Sequence, residues 1–393
     1  MIYWHLDEQR EQIVNIAREF AQTECRPVAM EVEQTDKLPM NLFARAAELG
    51  FLGIVIPEEY GGLGLDWITF ALVTEEIAKE LPMLGIMIIG HSCLAAGFID
   101  ACGPELKKKW LPLIASGETV FATGMAEPVG ANVFSEHSAK AVLDGNEWVI
   151  NASKIFTTGI GYASHVIVGA ATCEVDPITM HGYDYFVVPL DSPGFEMGKI
   201  EHKLGWHGSA TGSFYCKNVR IPKENHMIPA PPTGDGPPLP QFLVVLGQEN
   251  MLTGVECLAQ AENLYLKTWD YVHNRIQMGK NLFDAHQVVR HKLVKMRMEI
   301  DTLRALVYST AHEFDSGRPG MVNGRLCKIK GIEVLEYVSK EAILLHGGIG
   351  VVVENGVERA YRDVMVSAIA GGAVDILYEV SADLMNFGME PVI

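Results

Sequence analysis

The chain is short of several things at once. Seven cysteines, at positions 25, 93, 102, 173, 216, 257 and 327, are scattered among 393 residues, and no two form a CxxC pair. An odd, dispersed set argues against a disulfide framework or a zinc site and fits free thiols in a reducing, cytoplasmic setting. Basic residues are scarce: Lys and Arg number 31 against 49 Asp and Glu, a formal net charge of −18. That balance argues against sequence-independent binding to nucleic acid, although local basic residues can still serve an anionic ligand. No GxGxxG follows a strand-like run and no βαβ rhythm is present, so a Rossmann dinucleotide domain is not expected. Internal repeats are absent. The opening "MIYWHLDEQREQIV" carries early charges and lacks the apolar run of a signal peptide. "FLGIVIPEEYGG" and "MLGIMIIGHSCLAAGFI" are apolar but short or broken by glycine, and read as core rather than a membrane span.

What is present is a globular composition, 48% hydrophobic and 20% charged, in a chain long enough for two or three domains. Leu6, Ile13, Ile16 and Phe20 fall at helical spacing, and Pro27 interrupts at "CRPVA". "MNLFARAAELGF" predicts an amphipathic helix stopped by Gly50, and "DWITFALVTEEIAKEL" and "GPELKKKWLPLIASGE" continue the style. Near residue 120 the texture changes. "AKAVLDGNEWVINASKIFTTG" has β-rich runs around Asp144-Gly145-Asn146, a hairpin signal, and "SHVIVGAAT", "YDYFVVPL", "FEMGKIEHKL" and "GSFYCKNVRIP" follow as strands. A Pro/Gly cluster, "PAPPTGDGPPLP", reads as a loop or interdomain connection. Beyond it, "GQENMLTGVECLAQAENLYLKTWDYVHNRIQ", "HQVVRHKLVKMRMEIDTLRALVYSTAHEFDSG", "GRLCKIKGIEVLEYVSKEAILLHGG" and "AVDILYEVSADLMNFG" predict four helices that pack most simply as a bundle. The expected architecture is α+β: an N-terminal helical domain (1–119), a middle β-domain (120–230) and a C-terminal four-helix bundle (231–393).

Seven local motifs in order carry a resemblance. "GFLGIVIPEEYGGLGLDWITFALVTEEIA" begins at Gly50; "MAEPVGANVF", from Met125, is similar to a T-E-P-x-x-G-S-D loop; "VINASKIFTTG" is similar to N-G-x-K-x-W-I-T-N. "KLGWHGSATGSFYCKNVRIPKEN" resembles K-L-G-x-R-x-S-x-T with its following strand. "RIQMG" resembles R-x-x-F-G, "LLHGGIG" resembles Q-x-x-G-G-x-G, and "VERAYRDV" resembles E-R-x-x-R-D. Each motif alone is weak. Together they resemble the acyl-CoA dehydrogenase family across nearly the whole chain.

The resemblance implies a homotetramer with one FAD per subunit, acting on acyl-CoA and passing electrons to an electron-transfer flavoprotein. A carboxylate removes the α-proton while the cofactor takes the β-hydride. Flavin contacts carry over to Met125, Ala126, Asn132, Phe156, Thr157, Thr158, Arg275, Gln287, Leu344, Gly347, Gly348, Ala373 and Asp375, with His91, Asn250 and Gly372 facing the substrate; no metal is implied. Several positions depart from the family. Ala126 stands for a Thr, Asn132 for a Ser and Leu344 for a Gln; losing the Thr and Gln contacts costs about 0.5–1.5 kcal/mol each. Phe156 keeps an aromatic for stacking. Arg275 is positioned to reach a pyrophosphate across a subunit interface. One extra residue lies between Gly279 and His286-Gln287.

The sharpest departure is "SAIAGGAVDIL", Ser367 to Leu377. In much of the family this loop reads E-G-T and its Glu is the base; here the residues are Gly371, Gly372 and Ala373. The Gly371 N–H survives as the expected donor to the thioester oxygen. A minority of the family, including isovaleryl-CoA and long-chain dehydrogenases, carries the Glu about eight helical turns before the R-x-x-F-G motif. Counting back from Gly279 gives Glu249. The alternatives are a solvated Glu249 near a helix start, with Asp375, Glu379 or His91 near the site. Asn250 replaces the Arg that usually follows the upstream Glu, so the proton affinity of Glu249 is expected to differ from the family's. The expected reaction is α,β-dehydrogenation of a branched, cyclic or bulky acyl-CoA. Crotonobetainyl-CoA reductase shares the Gly-Gly loop and upstream Glu, so enoyl-CoA reduction stands beside it, as does a redox-silent lyase or binding member.

Overall fold

The helical spacing of the first third becomes a string of short helices. In the computed structural model, which describes residues 7–131, 133–176, 180–228, 241–386 and 388, α1 spans Glu8–Phe20 and Asp7 caps it by accepting from the Arg10 N–H at 2.8 Å. Where Pro27 interrupts, a π-helical turn (Ala21–Cys25) and a 3₁₀ turn (Arg26–Val28) lead into α2 (Ala29–Thr35). Next come α3 (Met40–Glu48) and α4 (Trp67–Glu80), the latter capped by Asp66, which accepts from the Thr69 N–H. α5 (Pro82–Ile88) continues through a π-helical turn (Ile89–Ala95) into α6 (Ala96–Asp100), and α7 spans Pro104–Ala115. The stretch Pro82–Asp100 has the length and apolarity of a membrane span, but 83% of it is buried inside the protein, as expected of core.

The middle third is a sheet. Its strands are β1 (Phe121–Gly124), β2 (Lys140–Asp144), β3 (Glu147–Thr157), β4 (His165–Ala171), β5 (Tyr183–Pro189), β6 (Phe195–Ile200), β7 (Gly212–Pro222) and β8 (His226–Met227). They lie in the order β6-β7-β3-β2-β4-β5-β8, with β1 parallel to β4. The predicted hairpin is present: Asp144 pairs with Glu147 around Gly145 at φ +64°. The β3–β7 ladder slips between Lys154 and Thr157, and Phe156 there has φ +51°. Such a break re-aims side chains at the end of a strand, and here it delivers Phe156 and Thr158 to the functional cavity.

The Pro/Gly cluster at 229–240 lies outside the described residues. After it, α8 (Gln241–Asn274) runs unbroken from a point upstream of the predicted start. A small β9 (Ile276–Gln277) and β10 (Lys280–Asn281) ribbon and α9 (Leu282–Ala285) lead to α10 (Gln287–Asp315), α11 (Met321–His346), α12 (Arg359–Ser367) and α13 (Val374–Asn386). The motif "VERAYRDV" thus contributes an additional helix, α12. α8 and α11 pack backbone to backbone: a Cβ on Gly324 would fall 2.1 Å from the Gly247 carbonyl oxygen, so only glycine fits. A buried ionic knot ties α4 to α10 and α8. Arg304 Nη1 donates to Glu75 Oε1 at 2.7 Å, the Tyr308 hydroxyl to Glu75 Oε2 at 2.6 Å, and Arg304 Nη2 lies 2.9 Å from Glu262 Oε1. The fold is the expected one: a helical domain, a β-domain and a helical bundle.

Candidate active site

The three parts meet around a cavity of about 310 Å³. Its walls come from α5 and the π-helical turn after it, β1, the end of β3, α8, α11, and the loop before α13. Glu249 reaches it from the third turn of α8. Its Oε2 accepts from Asn250 Nδ2 at 2.5 Å and its Oε1 from the Thr253 hydroxyl at 3.2 Å. Asn250 Nδ2 also donates to the Gly371 carbonyl at 3.2 Å, joining the helix to the loop.

Gly371 faces Glu249 directly. Its φ is +64°, and a Cβ there would sit 2.8 Å from Glu249 Oε1 and 3.1 Å from Oε2. The carboxylate therefore occupies space that any side chain at 371 would contest. Among the described residues nothing accepts a hydrogen bond from the Gly371 N–H. On the other side of the loop, Lys328 of α11 donates to the carbonyls of Ala370 and Gly372, the latter at 2.8 Å.

Burial pushes the Glu249 carboxyl above its ordinary range. The charge of Lys328, the bonds from Asn250 and Thr253, and the charge of Arg325 oppose that rise. Burial lowers Lys328 to about 8, against the upward pull of Glu249 and Cys257. The positive charge absent at Asn250 is thus supplied from α11 by Lys328 and Arg325. A half-buried carboxylate with raised proton affinity, open to a cavity, has the character of a general base.

Met125, Ala126, Phe156, Thr157 and Thr158 line the wall of the same cavity. The Phe156 side chain is 64% exposed there. Among the described residues the buried Thr157 and Thr123 hydroxyls have no hydrogen-bond partner. An open aromatic surface beside two unused buried hydroxyls fits a planar ring with a polar edge, such as a flavin. Asn132 lies outside the described residues.

The other expected contacts sit elsewhere. Arg275, Gln287, Leu344, Gly347 and Gly348 are exposed at the far end of α8 and its neighbours. About 25 residues of helix separate Glu249 from that end, roughly 38 Å at 1.5 Å per residue. Ala373 accepts from the Leu377 N–H at the start of α13, and Asp375 and Glu379 are exposed on that helix. None of these three lines the cavity. His91 is a correction. Its Nδ1 accepts from the Phe121 N–H at 3.2 Å and its Nε2 donates to the Ile114 carbonyl at 3.0 Å. Burial lowers it to about 4, so it is a neutral structural link between helix and sheet.

Three residues escaped the sequence reading: Arg325 and Trp206 line the cavity, and Lys328 stands behind its Gly371 loop. Lys328 and Arg325 are almost fully buried on α11. The available signal was helical spacing: Gly324, Cys327, Lys328 and Gly331 share the face turned to α8. Trp206 is the third, at φ +56°. Its backbone N–H donates to Asp363 at 2.7 Å and its Nε1 to Ser367 at 3.0 Å, so the Asp of "VERAYRDV" holds a wall of the cavity.

A helical domain, a β-domain and a bundle enclosing a carboxylate and a flavin-like wall define a class of oxidoreductase. Comparisons narrow it. Residues 7–118, 122–219 and 239–385 match, in turn, the N-terminal, middle and C-terminal domains of acyl-CoA dehydrogenase. The short-chain specific acyl-CoA dehydrogenase of Clostridium acetobutylicum is 30% identical over 95% of this chain and 97% of its own length. The acryloyl-CoA reductase (NADH) of Anaerotignum propionicum is 29% identical over 94% and 93%. A chain in a structure reported for the electron transferring flavoprotein of Acidaminococcus fermentans superimposes with a TM-score of 0.90, at 29% identity, covering 99% of this chain and 100% of that one. The chain belongs to the acyl-CoA dehydrogenase family, FAD-dependent oxidoreductases acting on acyl-CoA.

Proposed function

We propose that the chain catalyses α,β-dehydrogenation of a compact acyl-CoA, with Glu249 as the base that takes the α-proton. The observation that carries this reading is the fit of the Glu249 carboxylate against Gly371, which replaces the usual base with empty space that Glu249 fills. The thioester oxygen accepts from the Gly371 N–H, which stabilises the charge that builds there as the α-proton leaves. Glu249 receives that proton on a carboxylate oriented by Asn250 and Thr253. Apolar walls such as Ile89, Leu94, Leu246 and Ile376 keep water from the carbanionic carbon. Phe156, Thr157, Met125 and Ala126 would hold the flavin ring, and bound FAD supplies the acceptor for the β-hydride.

The Clostridium acetobutylicum relative is short-chain specific, which gives no support to a branched, cyclic or bulky acyl group as such. One cavity of about 310 Å³ for both ring and acyl chain favours a short one. The Anaerotignum propionicum relative supports a second reading, the same site run as an enoyl-CoA reductase. The Acidaminococcus fermentans structure supports an electron-transfer flavoprotein as partner. Arg275 and its neighbours, too far along α8 to share a flavin with this chain's cavity, support an oligomer in which they serve another subunit. Exposed Ile276, Met278, Val288, Leu344 and Val351 supply apolar surface for it. Seven unpaired thiols support a reducing, cytoplasmic setting.

The test is anaerobic bleaching of the flavin absorbance by straight, branched, cyclic and aryl-substituted saturated acyl-CoAs. Bleaching by short acyl groups is the expected result. A colour that none of them bleaches, but that returns when the reduced protein meets an enoyl-CoA, favours the reductase reading. A flavin that exchanges electrons with no acyl-CoA overturns both.

A further inference from the structure

We propose that Lys328 is a positioning residue for this reaction: it aims the Gly371 N–H into the cavity from behind and holds Glu249 and the Gly371 loop as one unit. The inference rests on the reading of Glu249 as base and Gly371 as oxyanion donor.

The geometry is that of a single peptide plane. Lys328 Nζ donates to the Ala370 carbonyl, and that carbonyl belongs to the same peptide group as the Gly371 N–H. In a planar trans peptide the C=O and N–H point in opposite directions, and the described chain contains no cis bond. Drawing the Ala370 oxygen toward α11 therefore turns the Gly371 N–H away from α11. The second bond, to the Gly372 carbonyl at 2.8 Å, fixes the next peptide. Asn250 holds the carbonyl of Gly371 itself. Three successive carbonyls of a glycine-rich loop are thus bound by two side chains. This loop has φ values of +64° and +99° at Gly371 and Gly372 and no side chains there to brace it.

Lys328 is completely buried, and a buried ammonium is costly unless it is bonded and paired. Glu249 and Cys257 face it from α8. Around Glu249 stand Asn250 and Thr253 on α8, Arg325 on α11 and Cys93 on the turn after α5. Glu256 and Asp363 face Cys257. Among the described residues, Lys328 and Arg325 are the cations whose charge most favours an ionised Glu249.

The test uses the holoenzyme. Stopped-flow reduction of the flavin by butyryl-CoA is followed against pH for the wild type, Lys328→Met, Lys328→Arg and Glu249→Gln, with flavin content and melting temperature alongside. The account predicts that Lys328→Met loses about tenfold or more of its plateau rate and that its rising limb moves up by about one pH unit, a tenfold change in proton affinity. Lys328→Arg restores the limb but only part of the plateau. A role confined to stability would lower the melting temperature and leave the limb in place. A folded, flavin-loaded Lys328→Met with the wild-type limb and plateau overturns the proposal. Glu249→Gln distinguishes the two readings. If it reduces flavin at the wild-type rate, the base reading falls. If it is inactive while Lys328→Met behaves as wild type, only Lys328 falls. Should the Lys328 variants not fold, the wild type itself decides. The infrared bands of Glu249, assigned by difference from Glu249→Gln, are expected to be those of an ionised carboxylate at pH 7, and a protonated carboxyl there overturns the proposal.

Discussion

The carboxylate of Glu249 and the α-carbon of Gly371 share one small space: a Cβ on Gly371 would come within 2.8 Å of Glu249 Oε1. The two positions are separated by more than a hundred residues, yet each is intelligible only through the other. The glutamate on α8 fits only against a loop position without a side chain, and the loop leaves that space open.

Gly371→Ala tests that complementarity. The new methyl group meets both carboxylate oxygens, and alanine at φ +64° carries left-handed strain of about 1–2 kcal/mol. A lower melting temperature is expected, with a loss of flavin reduction rate larger than the loss of acyl-CoA affinity. Thermal melts and stopped-flow traces of the same preparation check both.

Asn250→Leu removes the donor shared by Glu249 and the Gly371 carbonyl. Losing a hydrogen bond to the charged form raises the proton affinity of a carboxyl already lifted by burial. The rising limb of the pH–rate profile is expected to move to higher pH, since a higher pH is then needed to ionise Glu249. A profile moving downward contradicts the assignment.

Thr157→Val leaves the cavity shape almost unchanged and deletes a buried hydroxyl with no partner among the described residues. If the hydroxyl bonds to flavin, FAD affinity falls by about 0.5–1.5 kcal/mol, or roughly 2- to 13-fold. Fluorescence titration of the apoprotein with FAD measures it. Unchanged affinity places the flavin edge elsewhere.

The Glu75 knot predicts acid sensitivity. Burial pushes Glu75 up, but the charges of Lys79 and Arg304 and the bonds from Tyr308 and Arg304 hold it down at about 2. A depressed carboxyl stabilises the fold above its unfolded value, and that contribution fades as pH falls from the ordinary carboxyl range toward 2. Glu75→Gln is expected to cost about 3 kcal/mol at neutral pH by leaving Arg304 and Lys79 less well compensated. It should also flatten the acid limb of stability. Denaturant melts from neutral pH downward read both effects.

Much of the fold is legible in the sequence. Periodicity separated helices from strands because amphipathic faces and hairpin residues are local properties. Counting back from Gly279 leads to a cavity-lining residue, Glu249, because α8 is one unbroken helix and sequence distance converts to spatial distance. Lys328 and Arg325 were missed because a lysine or arginine on a long helix reads as a solvated face. Close α8–α11 packing and the loop carbonyls of Ala370 and Gly372 bury them instead. His91 was misplaced for the opposite reason. It follows the cavity-lining Gly90, but the π-helical turn directs its ring into the helix–sheet seam. Arg275 and Leu344 were carried over from motifs alone, and the fold sets both, exposed, at the end of the bundle far from Glu249.

The most direct measurement is exchange of the α-hydrogen of butyryl-CoA into D2O, followed by mass spectrometry under anaerobic conditions. It isolates proton removal from hydride transfer. The wild-type holoenzyme is predicted to label Cα, and Glu249→Gln, with its flavin retained, to label it about a hundredfold more slowly or worse, within the range of a lost general base. Wild-type labelling by the Glu249→Gln holoenzyme would contradict the account.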